Sequence, residues 1–303
     1  MRSFIILGLL GALFSCSEPT TRKDMNPEKA VTFDWQGHRG ARGLLPENTV
    51  PAFLKALEYP QVKTLELDLA VSKDSLLVVS HEPWMGHHIC SHPDGRPVAE
   101  NEEEKLLLFQ MAYDSIRQYD CGRRGNERFP KQQAMAAHKP LLSEVVQAVD
   151  QDCEAKGRGK PRYNIEIKIE PDYDNVKTPG PEAFARLVLD EITRLGIKER
   201  CCLQSFDVRP LQYLHRMAPQ LFIALLVDNP HGVAANLEEL GYTPDVYSPY
   251  YKLVTANVVD TVHAKGMAII PWTVNDTTAM KALIALGVDG IITDYPNLIE
   301  KVE

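Results

Sequence analysis

The stretch KTLELDLAVSKDSLLVVSHE, residues 63–82, decides the fold of this 303-residue chain. Two apolar runs rich in β-branched residues, LELDLAV and LLVVSHE, are separated only by the four residues SKDS. A parallel crossover needs a dozen or more residues, so the two runs are predicted to pair as an antiparallel hairpin closed by a Ser/Asp turn.

From residue 33 onward, strand-like runs alternate with helical patterns. The remaining strand-like runs are TFDWQGHR, RYNIEIKIE, RCCLQSF, LFIALLV, DVYSPYY, GMAIIPWTV and GIITDYP. Helical periodicity lies between most of them, for example over residues 50–57, 181–195 and 254–262. Such alternation favours a parallel sheet. With the hairpin strand set aside, eight strands remain, which predicts an α/β fold of the (β/α)8 TIM-barrel type. A doubly wound open sheet is the alternative, but it predicts no such hairpin.

Residues 82–139 interrupt this rhythm directly after the hairpin. The segment is polar and contains glycine and proline, and NEEEKLLLFQMAYDSIRQ (residues 101–118) is predicted to be its helix. An insertion at this point lies on the catalytic face of a barrel, where insertions shape access for the substrate.

The bulk composition is that of a globular protein, with 44% hydrophobic and 24% charged residues. The net charge of -8 argues against nucleic-acid binding, because no basic stripe is present to contact phosphates. An acidic protein that acts on an anionic substrate needs a local cation, either a metal ion or a few well-placed Arg and Lys side chains. No protein partner is implied.

The N-terminal residues 1–16, MRSFIILGLLGALFSC, have the pattern of a signal peptide. The residues that precede Cys16 resemble the lipobox of bacterial lipoproteins, in which this cysteine is lipidated and becomes the first mature residue. Ordinary secretory cleavage nearby is the alternative. The polar residues 17–32 fit a tether to a domain at 33–303. We therefore expect export and a lipid anchor to the membrane of the bacterial cell envelope. Ser17 favours an outer-membrane or periplasm-facing site, because it stands where aspartate often retains lipoproteins at the inner membrane.

Export permits disulfides, but the five cysteines beyond Cys16 cannot all pair. Cys90 with Cys121 is the one pairing we consider. No metal-type CxxC spacing is present.

Polar side chains collect at the predicted carboxyl ends of the barrel strands, which converge on the catalytic face of such a barrel. In chain order they are His38, Arg39, Glu66, Asp68, Glu166, Lys168, Trp272, Asn275 and Asp294. Three carboxylates, those of Glu66, Asp68 and Glu166, are expected to point at one place, and oxygen-only ligands suit Mg²⁺ or Ca²⁺. The alternative is a buried ion network in which Glu166 pairs with Lys168 and Arg39.

His81 ends the hairpin that returns over the strand carrying Glu66 and Asp68. Two histidines flanking a metal-bound anion, His38 and His81, form an acid–base pair. The run GHHICSH at residues 86–92 has a superficial likeness to a transition-metal site, and we interpret it as a polar loop. Trp272 is expected to form a wall of the substrate pocket, with a purely structural core role as the alternative.

The motifs HRG with PENT, then LELDLAVSKD, VVSHE, IEIK, PWTVN and GIITDYP, resemble those of the glycerophosphodiester phosphodiesterases, in the same order. The resemblance covers residues 33–300 and implies a phospholipase-C-like TIM barrel in which 82–139 is a family-specific insertion. It further implies hydrolysis of glycerophosphodiesters to glycerol 3-phosphate and an alcohol with a divalent cation. Glu82 departs from the aspartate that is usual after His81, and the insertion sequence differs from the commonest form, which leaves the head group open.

The same resemblance assigns a role to each site residue. His38 and His81 would be the acid–base pair, and the metal ligands would be Glu66, Asp68 and Glu166. Arg39 and Lys168 would contact the phosphate, and Glu47 would support the His38 side of the site.

Two other functions fit parts of the sequence. The first is a phospholipase C or sphingomyelinase-like phosphodiesterase that acts on intact lipid, but the charged run Asn101–Lys105 in the insertion favours soluble diesters instead. The second is a surface lipoprotein that only binds a partner. The presence of both histidines and all three carboxylates argues against it.

Overall fold

The computed structural model describes residues 33–302, and within them nine strands form one sheet. In chain order the strands are β1 (Asp34–Gly37), β2 (Val62–Val71), β3 (Leu77–Val79), β4 (Arg162–Ile167), β5 (Cys201–Ser205), β6 (Phe222–Val227), β7 (Val246–Pro249), β8 (Ala268–Ile269) and β9 (Gly290–Thr293). Eight of them are parallel and lie side by side in the order β8-β7-β6-β5-β4-β2-β1-β9. Main-chain hydrogen bonds from Ile292 N to Pro271 O (3.0 Å) and from Val274 N to Ile292 O (3.0 Å) join β9 to the segment after β8 and close the barrel.

The strand β3 lies outside this circle, as the short SKDS connection predicts. It pairs antiparallel with β2, with Leu69 opposite Val79 and Val71 opposite Leu77. The turn is held by Ser72, whose hydroxyl donates to Asp74 Oδ1 (2.6 Å) and accepts from the main-chain N–H of Leu76 (3.0 Å). The hairpin and the barrel are therefore confirmed, and the open-sheet alternative is wrong.

Helices alternate with the parallel strands and cover the outside of the barrel, except the short helix Tyr113–Ile116, which packs within residues 82–139. They are α1 (Val50–Ala56), α2 (Tyr113–Ile116), α3 (Leu142–Ala155), α4 (Pro181–Arg194), α5 (Val208–Met217), α6 (Val233–Leu240), α7 (Ala256–Ala264) and α8 (Thr277–Ala285), with short 3-10 turns at Glu100–Lys105, Leu108–Gln110, Pro171–Tyr173, Lys198–Arg200, Tyr251–Leu253 and Pro296–Lys301. The hydroxyl of Thr49 accepts from the main-chain N–H of Ala52 at the start of α1, and Pro51 fits the first turn of that helix. The helices predicted over 50–57, 181–195 and 254–262 are confirmed within a few residues.

Residues 82–139 pack around a second, small apolar core, which they share with Ala70 and Val78 of the β2–β3 hairpin. The continuous helix predicted over 101–118 is wrong, because this stretch is divided among two 3-10 turns and α2. Its main-chain groups bond to another part of the insertion instead: Met85 N donates to Leu106 O (3.1 Å), and Leu108 N donates to Pro83 O (2.9 Å). These bonds occupy groups that a continuous helix needs for its own i→i−4 ladder.

Cys90 and Cys121 form a disulfide inside this apolar core, which is the pairing considered from the sequence. The remaining cysteines of the described chain, Cys153, Cys201 and Cys202, are free. The disulfide ties together two parts of the insertion that are 31 residues apart.

The predicted signal peptide (1–16), its lipidation site Cys16 and the tether (17–32) lie outside the described residues. Within residues 33–302, no helix combines the length and the apolar character needed to span a bilayer.

Candidate active site

The turn after β1 brings His38 and Arg39 into the mouth of the barrel. Gly40 has a φ of +82°, and a Cβ there would lie 2.5 Å from the main-chain carbon of Ala52, so only glycine fits against α1. Arg39 itself has a φ of +49°, and its main-chain N–H donates to Glu66 Oε2 (2.9 Å). The HRG motif thus forms a tight turn that aims one main-chain donor and two side chains at the ends of the neighbouring strands.

Three carboxylates meet at the carboxyl ends of β2 and β4. Glu66, Asp68 and Glu166 each offer an oxygen within 4.8 Å of the other two, and all three residues are buried. Asp68 and Glu166 are register partners across the two parallel strands. Burial and the Asp68 carboxylate raise the pKa of Glu66 well above its ordinary value. Burial also raises the pKa of Glu166, and the Lys168 ammonium offsets only part of that rise.

The hydrogen bonds of this acidic cluster leave room for a cation. Glu66 accepts from Gln204 Nε2 (3.0 Å) as well as from the main chain of Arg39, and Asp68 Oδ2 accepts from Asn48 Nδ2 (2.8 Å). Asp68 Oδ1 is buried and has no hydrogen-bond partner among residues 33–302. A buried, unpartnered carboxylate oxygen beside two further carboxylates is a donor set that fits a hard divalent cation such as Mg²⁺ or Ca²⁺.

His38 is held by Asp294, which directly follows β9. The distance from His38 Nδ1 to Asp294 Oδ1 is 2.6 Å, and His38 Nε2 lies 3.9 Å from Glu66 Oε2. Burial, followed by the Arg42 guanidinium, lowers the pKa of His38 to about 4. Because the Asp294 carboxylate can only accept at neutral pH, we assign the ring proton to Nδ1, which leaves the Nε2 lone pair facing the acidic cluster.

Asp294 is oriented by two further side chains. Arg42 donates to both of its oxygens, through Nε (2.8 Å) and Nη2 (3.1 Å), and Asn275 Nδ2 donates to Oδ2 (2.6 Å). The Arg42 guanidinium also lies 4.6 Å from the centroid of the Phe129 ring, which belongs to the insertion. The insertion therefore contacts Arg42, which orients the Asp294 carboxylate that holds His38.

His81 lines the same cavity from the hairpin side. Its Nδ1 lies 2.8 Å from Glu82 Oε1, so the carboxylate at the position where the sequence departs from the usual aspartate still contacts this imidazole. The buried Lys139 donates to Ser80 Oγ (2.6 Å), and Ser80 Oγ in turn donates to Glu82 O (2.6 Å). His81 is thus held by Glu82, whose main-chain oxygen is fixed in turn through Ser80.

The two basic residues expected at the phosphate site lie beside the carboxylates. Arg39 Nη1 donates to Glu47 Oε1 (2.7 Å), and Arg39 Nε lies 3.2 Å from Asp68 Oδ2. Lys168 Nζ donates to Glu166 Oε1 (3.2 Å). Glu47 therefore holds Arg39 directly and supports the His38 side only through it. Of the buried ion network considered as the alternative, the pair of Lys168 with Glu166 is present. Asp68 Oδ1 nevertheless has no hydrogen-bond partner among residues 33–302.

An apolar wall faces these charged groups across a cavity of about 280 Å³. Trp272 donates from Nε1 to Ser248 O (2.9 Å), and its ring packs edge-on against Phe206 with 5.3 Å between centroids. Leu226 and Ile292 complete this side of the cavity. The site combines a charged end suited to a phosphate and an apolar end suited to hydrocarbon.

Several residues of the site were not among the sequence candidates. Arg42 follows the HRG motif by two residues, Asn48 belongs to the PENT motif, and Gln204 lies within the run RCCLQSF. Proximity within the motifs is a signal for the first two. Nothing in the local sequence distinguishes Gln204 from a core polar residue until β5 is placed beside β4.

The histidines of GHHICSH do not form a metal site. His87 Nδ1 lies 2.7 Å from Glu103 Oε1, and His92 Nε2 lies 3.2 Å from Glu102 Oε2. In the described part of the chain, the acidic cluster is the one group of three or more ligand-type side chains brought together. The interpretation of this segment as a polar loop is confirmed.

Comparison with known proteins identifies the same family as the motifs. The model of the glycerophosphoryl diester phosphodiesterase family matches residues 38–298. A glycerophosphodiester phosphodiesterase from Caldanaerobacter subterraneus subsp. tengcongensis is 30% identical over 275 residues, which covers 87% of this chain and 96% of that one. One from Bacillus altitudinis is 29% identical over 269 residues, with 88% and 96% covered.

Solved structures share the fold. A Silicibacter pomeroyi protein assigned to the glycerophosphoryl diester phosphodiesterases is 28% identical with a TM-score of 0.78, covering 89% of this chain and 92% of its own. A phosphodiesterase from Oleispira antarctica, solved with the product sn-glycerol-3-phosphate, is 20% identical with a TM-score of 0.68, covering 89% and 96%.

Proposed function

The chain belongs to the glycerophosphoryl diester phosphodiesterase family of phosphoric diester hydrolases, and on this basis we propose that it uses a divalent cation and two histidines to release sn-glycerol 3-phosphate from glycerophosphodiesters. The observation that carries the proposal is the juxtaposition of a buried, cation-ready acidic cluster with the Nε2 atom of a neutral histidine, 3.9 Å from Glu66 Oε2. The sn-glycerol-3-phosphate bound to the Oleispira antarctica relative supports the choice of product.

Glu66, Asp68 and Glu166 would hold the cation, which the oxygen-only donor set restricts to Mg²⁺ or Ca²⁺ among the common biological ions. When bound, such a cation neutralises the phosphodiester and stabilises the charge that builds on its equatorial oxygens. The remaining steps are assigned to side chains of the chain itself.

His38 would act first as the general base. With a pKa of about 4 its imidazole is neutral at pH 7, so Nε2 can accept the proton of the attacking oxygen while Asp294 holds Nδ1. His81 would protonate the departing alcohol. If the neighbouring hydroxyl of the glycerol attacks, a cyclic phosphate forms, and water opens it with the roles of the two histidines exchanged.

Arg39 and Lys168 would bind the phosphate oxygens, since both cations line the cavity beside the acidic cluster. Glu47 would keep the guanidinium of Arg39 in position through its 2.7 Å hydrogen bond. Trp272 would pack against the carbon atoms of the glycerol, on the apolar side of the same cavity.

A substrate panel tests this proposal. Glycerophosphocholine, glycerophosphoethanolamine and glycerophosphoinositol are incubated with the protein beside their acylated parent lipids, with and without chelator. Glycerol 3-phosphate is quantified from the soluble diesters, and diacylglycerol and phosphorylated head group from the lipids. We expect chelator-sensitive release from the soluble diesters and little cleavage of the lipids. Preferential cleavage of the intact lipids would favour the phospholipase C alternative, and absence of any cleavage would favour a binding protein.

We also propose that the enzyme is exported and anchored to the cell envelope through a lipid on Cys16. The support is the N-terminal sequence pattern. Labelling of cells with an alkyne fatty acid should tag the wild-type chain and not Cys16→Ser, and the variant should leave the membrane fraction. Equal labelling of the two chains would refute the anchor.

A further inference from the structure

Two aromatic side chains enclose an ammonium group at the rim of the barrel. Trp84 begins the insertion and Tyr173 follows β4, and their rings meet edge to face with 6.2 Å between centroids. Lys177 Nζ lies 4.9 Å from the centroid of each ring. Both distances fall within the range of cation–π attraction, so the pair forms a site whose shape and electrostatics already suit an ammonium.

This aromatic pair lies on the His81 side of the active site. Trp84 follows His81 by three residues, which limits the separation of their Cα atoms to about 11 Å. Burial and the Glu170 carboxylate raise the pKa of the Tyr173 hydroxyl, and the charges of Lys168 and Glu82 act on it more weakly. The pair lies outside the lining of the active-site cavity, which includes His81 and Lys168, so the part of a substrate that reaches it is a head group extending beyond His81.

A cavity beside Trp84 is lined by three carboxylates together with His87, His88 and one arginine. Glu82 and Glu103 both contribute to its wall, with Arg128 as its one arginine. Glu47 lines it as well, is 8% exposed, and its Oε2 has no hydrogen-bond partner within residues 33–302. A buried carboxylate oxygen without a partner, next to an aromatic ring, favours a cationic over an anionic occupant.

Resting on the proposed hydrolysis of glycerophosphodiesters, we propose that Trp84 and Tyr173 form the subsite for a cationic alcohol group, such as a quaternary ammonium, that leaves on the His81 side. Lys177 occupies this subsite in the free enzyme and is displaced by the substrate cation. Its second partner is Glu104, whose carboxylate lies 3.1 Å from Nζ and is 76% exposed, so the displaced lysine keeps a counter-ion at the surface.

Competition with Lys177 makes a specific prediction about selectivity. Displacement of the lysine weakens binding of a charged and a neutral head group of the same shape equally, but only the cationic one is also repelled by the ammonium that stays nearby. Removal of the ammonium should therefore strengthen the preference for a cationic head group, whereas removal of either ring should abolish that preference.

The test compares glycerophosphocholine with its neutral carbon isostere, the 3,3-dimethylbutyl ester of glycerol 3-phosphate. Both have the same shape and the same scissile bond, so the ratio of their kcat/KM values reports recognition of charge alone. We expect a ratio of about 2 to 30 for the wild type, the span of a cation–π contact. Trp84→Leu and Tyr173→Leu should lower it toward 1, Trp84→Phe should keep part of it, and Lys177→Met should raise it.

Lys55→Met is the matched control. Lys55 also pairs with a carboxylate, Glu58 at 2.5 Å, and lies 5.9 Å from the Tyr59 ring, but it is in the last turn of α1, away from the mouth of the barrel. This variant removes the same charge and should leave the ratio unchanged.

A wild-type ratio near 1 with both esters cleaved would overturn the subsite and leave the proposed hydrolysis intact. Failure to cleave either ester while glycerophosphoinositol is cleaved would overturn the subsite alone, and failure to cleave any glycerophosphodiester would overturn both. If Trp84→Leu does not fold, as judged by thermal unfolding, Tyr173→Leu and Lys177→Met decide: an unchanged ratio in these two variants contradicts the proposal.

Discussion

Replacement of Asp68 by asparagine separates a cation site from a structural ion network. The side chain keeps its shape, and its amide oxygen can still accept from Asn48 Nδ2, which donates to Asp68 Oδ2 at 2.8 Å. The amide nitrogen then stands where the unpartnered Oδ1 was, and a nitrogen that carries two hydrogens cannot ligate a cation.

The free energy of unfolding of the metal-free variant should change little. At an effective dielectric constant of about 20, each carboxylate pair within 4.8 Å repels by at least about 3.5 kcal/mol. The attraction of Arg39 Nε for Asp68 at 3.2 Å is about 5 kcal/mol on the same scale. Asp68 repels Glu66 and Glu166, or Glu166 alone if Glu66 is protonated, so these terms nearly cancel. Against the effect of burial, Arg39, His81 and Lys168 hold the pKa of Asp68 below its usual range, so the remaining balance is a small loss of stability in Asp68→Asn.

The effect of a cation should differ strongly between the two proteins. A cation at 100 times its Kd stabilises the wild type by about 2.7 kcal/mol, which raises the Tm of a domain of this size by about 5 °C. Changes in the outer shell of a metal site typically weaken metal binding 10- to 100-fold, so loss of the charged ligand Asp68 should weaken cation binding at least about 100-fold. The same cation concentration then raises the Tm of Asp68→Asn by about 1 °C or less.

Thermal unfolding of chelated protein, titrated with Ca²⁺ or Mg²⁺, measures both quantities. Asp289→Asn is the control, since Asp289 contacts His263 (2.8 Å) just before β9, at the opposite end of the barrel. It should respond to the cation as the wild type does. An equal rise in Tm for Asp68→Asn, or a loss of more than about 10 °C in its metal-free form, would show that Asp68 serves an ion network and not a cation.

Three further predictions follow from the geometry. His38→Ala and His81→Ala should each lower turnover by about 10²–10⁴-fold with an unchanged circular dichroism spectrum, and retention of a tenth of the activity in both would exclude acid–base catalysis by histidine. Arg42→Met removes a positive charge that lowers the pKa of His38, and it takes a hydrogen-bond donor from Asp294, so the imidazolium of His38 becomes more stable. In a pH–rate profile with saturating cation, the acid limb of kcat/KM should move up by about one pH unit or more. A downward shift of this limb would contradict the assignment. Trp272→Leu should raise KM about tenfold for every glycerophosphodiester alike, because the glycerol is common to all; a change confined to one head group would place this ring elsewhere.

The sequence predicts the barrel because its connection lengths are a hard constraint. SKDS is too short to cross over, so the hairpin and the count of eight parallel strands follow from local spacing. The helix predicted over 101–118 is wrong because groups outside that stretch compete for its main-chain hydrogen bonds. Its apolar residues have helical spacing, but main-chain bonds to Pro83 and Met85 compete with the helix, and such partners are not visible in a local pattern.

The residues of the candidate site likewise fall into those that the sequence identifies and those that only the fold brings to the site. The motifs identify the acidic cluster and both histidines, because each residue lies at the end of a recognisable strand. Arg42 supports His38 through Asp294 and is signalled only by its nearness to the HRG motif, whereas Gln204 contacts the cluster from a position with no distinctive pattern. The hydrogen bond from Gln204 to Glu66 spans 138 positions, so it exists only once β5 lies within reach of β2.

The sequence by itself determined the strand count, the hairpin and which carboxylates and imidazoles face the barrel mouth, since these follow from periodicity and loop length between neighbours in the chain. The tertiary structure alone decided the protonation of His38, the unpartnered oxygen of Asp68 and the aromatic pair around Lys177. Those properties depend on burial and on distances between residues far apart in sequence, and folding sets both.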